Sequence, residues 1–194
     1  MRKLKFDDIV DMAEYEKRRP EFRRRVMQIK DQRRIDVGPS ITYLFETIEM
    51  QLYQVQEMMR SERIVHEEMI LKELDVYNEL IPGLHQLSAS VFIAIEDRQE
   101  LQRFVTRAID LPDHTYLLVD KNRIVPTFDS RQISVNRLSA IQYITYQLSP
   151  EQVAKFAKAD SRVFLGFDHP LYTHEVELTL EQKETLHGDM IRLD

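Results

Sequence analysis

Three ionisable residues, Glu62, His66 and Glu73, fall on what reads as an apolar helical stripe between Ile48 and Ile81. That stretch holds neither Gly nor Pro. Wound at about 100° per residue, it aligns Ile48, Leu52, Val55, Met59, Ile70 and Tyr77 on one face. Charge inside such a stripe is costly unless it is paired or put to use. Glu62 and His66 are four positions apart, the spacing at which two side chains of one helix meet, so with His169 they could ligate a metal ion. A buried ion pair is the competing reading, because the His66-Glu67 pair is followed by Ile70 where a zincin helix carries its second His.

Two further sets carry chemistry. Gln56, Arg60, Arg63 and Glu67 share a narrow arc on the flank of the same predicted helix, and Gln56, Glu57, Arg60 and Arg63 with Tyr172 could hold a carboxylate or phosphate. A ladder of these arginines with Glu57 and Glu67 would satisfy them internally instead. Asp168-His169-Pro170, Tyr172 and His174 follow an apolar strand and should sit at a sheet end, where functional loops gather. Asp168 and its neighbour point to opposite faces of a strand, so a rigid turn in which His169 caps a backbone group competes with a catalytic pair. His85, His114 and His187 have no evident spacing partner.

The most basic segment precedes all of these. Lys17, Arg18, Arg19, Arg23, Arg24, Arg25, Lys30, Arg33 and Arg34 stand against only Glu21 and Asp31. A solvated helix face balanced by acidic neighbours is the first reading; a footprint for RNA, phosphate or an acidic protein is the alternative. The chain as a whole carries a net charge of -6, which argues against a surface adapted throughout to nucleic acid. Cysteine is absent, so thiol nucleophiles, disulfides and thiolate-held clusters are excluded, and any metal must rest on His and carboxylates. No G-x-G-x-x-G or Walker-type loop occurs, and the opening residues show no secretory signal or membrane span, which sets a cytoplasmic expectation.

The elements that must position these residues read as helices first and strands later. Asp7 to Tyr15 is expected as a short helix, Pro20 as the start of a second, and Arg34 to Phe45 as a hairpin around Gly38-Pro39. After the long helix come a strand over Leu87–Ile95, a helix over 96–108, and strands at Tyr116–Val119 and Ile124–Phe128. A strand over Leu138–Leu148 and a helix capped by Ser149 follow. Strands at Arg162–Phe167 and His174–Leu178 lead to a closing helix capped by Thr179. The expected architecture is one α+β domain over residues 1–194: a helix-rich half, 1–83, whose long central helix packs on a mainly antiparallel sheet from the β-rich half, 84–194.

Q-V-Q-E-M-M-R-S-E-R-I, E-L-D-V-Y-N-E-L-I-P-G, L-S-A-S-V-F-I-A-I and F-D-H-P-L-Y, in that order, resemble the blocks of a bacterial family catalogued as domain of unknown function 3501. The family is uncharacterised. Through genes that lie beside those of rubrerythrin-like di-iron proteins and iron–sulfur reductase subunits, the resemblance implies an accessory or interaction protein working with such a partner in oxidative stress; no cofactor is predicted, with a metal ion the open alternative. His66 departs from it, since an acidic residue is expected at that position.

Overall fold

The computed structural model describes residues 2–128, 133–134 and 137–192, and its two larger sheets and covering helices make it an α+β fold. The first helix, α1 (Met12–Asp31), is capped by Asp11, whose carboxylate accepts from the amides of Ala13 and Glu14. It runs through Pro20, so the two helices expected on either side of that residue are one. Pro20 lies on the exposed side of the helix. There the carbonyl that loses its partner can turn to water, while Tyr15 and Val26 remain buried on either side. What precedes α1 is only a 3-10 turn, Phe6–Asp8.

The hairpin β1 (Arg34–Val37) and β2 (Ile41–Phe45) pairs as expected around Gly38. Gly38 has φ +74°, and a Cβ there would meet the ring of His174 and the hydroxyl of Tyr172 below 3 Å. Thr47 then caps α2 (Ile48–Glu62), and α3 (Glu67–Asn78) follows after a four-residue break. This corrects the single long helix. Arg63 adopts the left-handed conformation at φ 55°, and the Ile64 amide bonds back to the Met59 carbonyl at 2.9 Å, closing the helix without glycine. A straight helix over 48–78 would extend about 46 Å. Instead α3 returns along α2, since Pro82 beyond its end lines the same recess as Glu46, Thr47 and Ile48 at the start of α2. Val55, Met59, Ile64, Ile70 and Leu74 thereby bury one another.

The five-stranded sheet has the order β1-β2-β3-β9-β6, with β3 at Gln86–Ile93, β6 at Thr127–Phe128 and β9 at Ile141–Gln147. The four-stranded sheet has the order β11-β10-β4-β5: β4 is Thr115–Val119, β5 Asn122–Ile124, β10 Val163–His169 and β11 Tyr172–Glu177. Every pairing is antiparallel. The strand expected over Ile124–Phe128 is divided between the two sheets, as Val125-Pro126 interrupts the ladder and Pro has no N–H to give it. A two-strand ribbon, β7 (Ile133–Ser134) and β8 (Arg137–Leu138), α4 (Arg98–Arg107), α5 (Pro150–Phe156) and α6 (Leu180–Ile191) complete the described chain. Ser149 and Thr179 each cap their helix in a reciprocal box with Gln152 and Gln182.

The main core lies between the sheets, where Tyr43, Phe45, Ile144 and Tyr146 of one meet Leu117, Leu165 and Phe167 of the other. Its buried hydroxyls are all accounted for. Tyr43 shares a short hydrogen bond with Thr115, which contacts Tyr146 at 3.2 Å and donates to the Gly166 carbonyl at 3.2 Å. The second seam is at the hairpin: the Tyr172 hydroxyl donates to the Val37 carbonyl at 2.6 Å and accepts from the Ser40 amide at 3.1 Å.

Candidate functional site

Tyr15, Arg18, Phe22 and Arg25 recur at intervals of three and four along α1 and so occupy one face of it. With Glu21 beside them, they form one wall of a groove whose other wall is Leu52 and Gln56 of α2 and whose end is Asp8 and Val10. Its volume is about 330 Å³, at the lower end of the usual range for a small-molecule site. Phe22, Leu52 and Val10 supply an apolar floor, while Arg18, Arg25, Asp8 and Glu21 supply charge. Buried Gln56 fixes the end of the groove, accepting from the Val10 amide at 2.9 Å and donating to the Val10 carbonyl at 3.3 Å. The arginines are held by outer carboxylates: Arg18 by Glu14 at 2.5 Å, and Arg25 by Glu49. Glu21 makes no ion pair with any described residue.

Behind the groove, α1 is clamped to α2 through Glu57. Its carboxylate accepts from Arg19 Nε at 2.7 Å, Arg19 Nη2 at 2.8 Å and the Tyr15 hydroxyl at 2.6 Å. The Arg19 bond first, and the Tyr15 bond with it, hold Glu57 down to about 2, against the opposing effect of its partial burial. Burial and the facing Glu57 push the Tyr15 phenol up, and the same carboxylate raises Arg19. Much of the basic segment is thus balanced internally. Lys17 and Arg18 pair with Glu14, Arg19 with Glu57 and Arg25 with Glu49, while Arg33 lies buried against Asp189. Arg23, Arg24 and Arg34 remain on the exposed surface.

The ligand residues expected from sequence are divided. Gln56 lines the groove and Glu57 stands behind it, but Arg60 turns to Glu16 of α1 at 2.6 Å, and Arg63 forms the left-handed end of α2. The ladder of Arg60 and Arg63 with Glu57 and Glu67 is not what forms: Glu16 of α1 takes Arg60, and Arg19 of α1 takes Glu57. Tyr172 belongs to the seam between the sheets. Glu62 and His66 flank the helix break and are exposed; His66 occupies the N-cap position of α3 without a side-chain capping bond. Glu62, His66 and His169 therefore do not converge. Of the charges that interrupted the apolar stripe, Glu62 and His66 mark the place where the helix stops, and Glu73 lies within α3.

His169 is joined instead by Asp110 and His114. Asp110 precedes the 3-10 turn Leu111–His114, which leads into β4, and the pairing of Phe167 with Thr115 carries the end of β10 alongside. His169 is buried; its Nε2 lies 3.1 Å from Asp110 Oδ1, and its Nδ1 accepts from the Leu171 amide at 3.0 Å. This network assigns the ring proton to Nε2, which donates to Asp110. His114 has Nδ1 3.1 Å from Asp168 Oδ1 and Nε2 3.5 Å from Asp110 Oδ2. Arg123 pairs with the other oxygen of Asp168 at 2.7 Å and lies over the ring of Tyr116. His169 first lowers the Asp110 carboxyl, and Arg123 first lowers that of Asp168. The sequence signal for this cluster was two short pairs, Asp110-x-x-x-His114 and Asp168-His169, neither informative without the strand register that joins them.

One buried acid also escaped the sequence reading. Glu46, between β2 and α2, accepts from Ser90 and from Gln51 Nε2 at 2.7 Å, and its burial pushes its carboxyl up. Gln51 Oε1 beside it has no hydrogen-bond partner among the described residues.

A family model described as "Protein of unknown function (DUF3501)" matches residues 3–190. No curated protein matches the chain. Among solved structures, a crystal structure of a novel protein of unknown function from Burkholderia pseudomallei K96243 is 27% identical. It superposes with a TM-score of 0.89, the match covering 97% of this chain and 100% of that one. Among the described residues, no helix is long and apolar enough to cross a membrane.

Proposed function

We propose that this chain, which belongs to the DUF3501 family of proteins of unknown function, is a binding protein whose α1–α2 groove takes a small organic anion with an apolar body. The observation that carries the reading is the juxtaposition of Arg18 and Arg25 with the apolar floor of Phe22, Leu52 and Val10 in one cleft. The outer pairs that now hold the arginines are largely exposed, and pairs of that kind contribute only about 0–1 kcal/mol. A ligand carboxylate or phosphate can therefore replace Glu14 or Glu49 at little cost, while its apolar part covers Phe22 and Leu52. Glu21 opposes the same anion and sets a limit on its charge.

Titration of ¹⁵N-labelled protein with octanoate and with phenyl phosphate tests this. Saturable amide shifts are expected along α1 and at Val10; Arg18→Gln and Arg25→Gln each weaken binding at least about tenfold, or 1.4 kcal/mol, and Glu21→Gln strengthens it. Shifts that ignore all three substitutions, or no saturation below about 10 mM, overturn the reading.

A second reading, docking of a protein partner, is favoured by α3. Val65 just before it, and Met69 and Val76 along it, are 69%, 46% and 61% exposed, among Glu67, Glu68, Glu73 and Asp75. A partner with a basic rim and an apolar centre suits that face. The family resemblance names rubrerythrin-like and iron–sulfur proteins as the class to test.

A further inference from the structure

We propose that Asp110, His114 and His169 form a binding site for a divalent transition-metal ion of the zinc, cobalt and nickel class. The site lies at the junction of the 3-10 turn and β10, apart from the α1–α2 groove, and stands or falls independently of it. Both imidazole Nε2 atoms approach the one carboxylate, at 3.1 and 3.5 Å, and one donor atom from each of the three residues lies within 4.8 Å of the others. Ligands bound to zinc at about 2.0–2.1 Å in a tetrahedral arrangement stand roughly 3.4 Å apart. The two nitrogen–oxygen separations, His169 to Oδ1 and His114 to Oδ2 of Asp110, lie close to that value, so either oxygen can serve with a small turn of the carboxylate.

The surroundings orient His114 as a ligand. Asp168 accepts a hydrogen bond from the His114 Nδ1–H and is itself held by Arg123, the carboxylate–histidine arrangement that fixes a tautomer and turns the Nε2 lone pair toward a metal. Asp110 is its natural companion across the turn. His169 stands differently, because the Leu171 amide bonds its Nδ1, and a neutral ring cannot accept at both nitrogens. Asp110 and His114 therefore anchor the ion. His169 completes the site when the turn at Pro170-Leu171 shifts enough to free Nδ1, so that its proton moves there and Nε2 binds. Two imidazoles and a carboxylate suit a borderline cation and disfavour calcium or magnesium, which take oxygen ligands. Three protein ligands leave a fourth position for water.

The test uses untagged full-length protein stripped with a chelator. Co²⁺ is followed by its visible absorption and Zn²⁺ by calorimetry, with circular dichroism confirming the fold of each variant. One equivalent is expected to bind, with the intense d–d bands of four-coordinate cobalt. Asp110→Asn and His114→Gln, both at partly or fully exposed positions, are each expected to weaken binding at least tenfold. Asp168→Asn, which touches no metal, is expected to cost about 10–100-fold. That last loss separates ring orientation from a merely structural hydrogen bond. Absence of binding, or wild-type affinity in His114→Gln, overturns the proposal.

Discussion

Replacing Glu57 with Gln keeps the shape of the clamp between α1 and α2 and removes its charge. In the folded chain this carboxyl titrates at about 2, against an ordinary value of 4.5. Converted at 1.36 kcal/mol per pKa unit, that difference is roughly 3 kcal/mol before any screening. The Glu57 and Arg19 side chains remain 24% and 27% exposed, so solvent screening reduces the usable part to about 1–2 kcal/mol. Because the folded value lies below the unfolded one, the clamp stabilises the fold fully above about pH 4.5 and loses its contribution as the pH falls toward 2. Urea unfolding at pH 7 should therefore find Glu57→Gln less stable by about 1–2 kcal/mol, with unchanged dependence on denaturant. Between pH 4.5 and 2 the two proteins should converge. Comparison with the parent protein is essential, since Asp110, Asp168 and Glu177 are also held low and titrate in both. A gap that stays constant through this window, or no gap at pH 7, would refute the charge-based account of the clamp.

Asp189→Ala strips both carboxylate bonds from Arg33, at 2.8 and 2.9 Å, and among the described residues leaves that buried guanidinium the Ile29 carbonyl alone. A loss of about 3–5 kcal/mol in denaturant unfolding is expected, and Arg33→Met with Asp189→Leu should recover most of it; a single-variant loss below about 1 kcal/mol would mean that water reaches the pair. For the partner reading, affinity purification from cells that express a di-iron or iron–sulfur protein should retain that protein, and Met69→Lys with Val76→Lys should release it. Retention that survives the double substitution would remove α3 from the interface.

Local chemistry made the element ends legible where one residue decides them. Ser149 and Thr179 cap their helices as their types require, and Gly38 turns the first hairpin because its neighbours leave no room for a Cβ. The sheet strands were legible for a similar reason, since β9 alternates buried and accessible residues along its length. Periodicity failed at Arg63. No breaker residue marks that position, and the cost of a left-handed arginine is met by burying Ile64 and the two helices against each other, a tertiary gain invisible to a local window. Pro20 shows the converse error, a breaker tolerated because its side of α1 faces water. The groove was half legible, through Gln56 and Glu57. Its arginines came from the segment read first as a solvated face. The Asp110, His114 and His169 cluster depended on the register of β10 with β4, information that no single stretch contains.

The strand order bears on how the chain matures during synthesis. In the larger sheet β3 is flanked by β2 and β9, and the residues that cover its second edge come from Ile141–Gln147. At about 5–20 residues per second, a ribosome needs several seconds between releasing β3 and releasing β9. The contacts of α1 with α2 and of α2 with α3 need no later residue, whereas the 86–93 edge, with Leu87, Ala89, Val91, Phe92 and Ile93, waits with open hydrogen-bonding groups. The nascent chain is therefore most exposed to mispairing midway through its translation, and a chaperone or a slow codon run would matter most in the interval between residues 93 and 141.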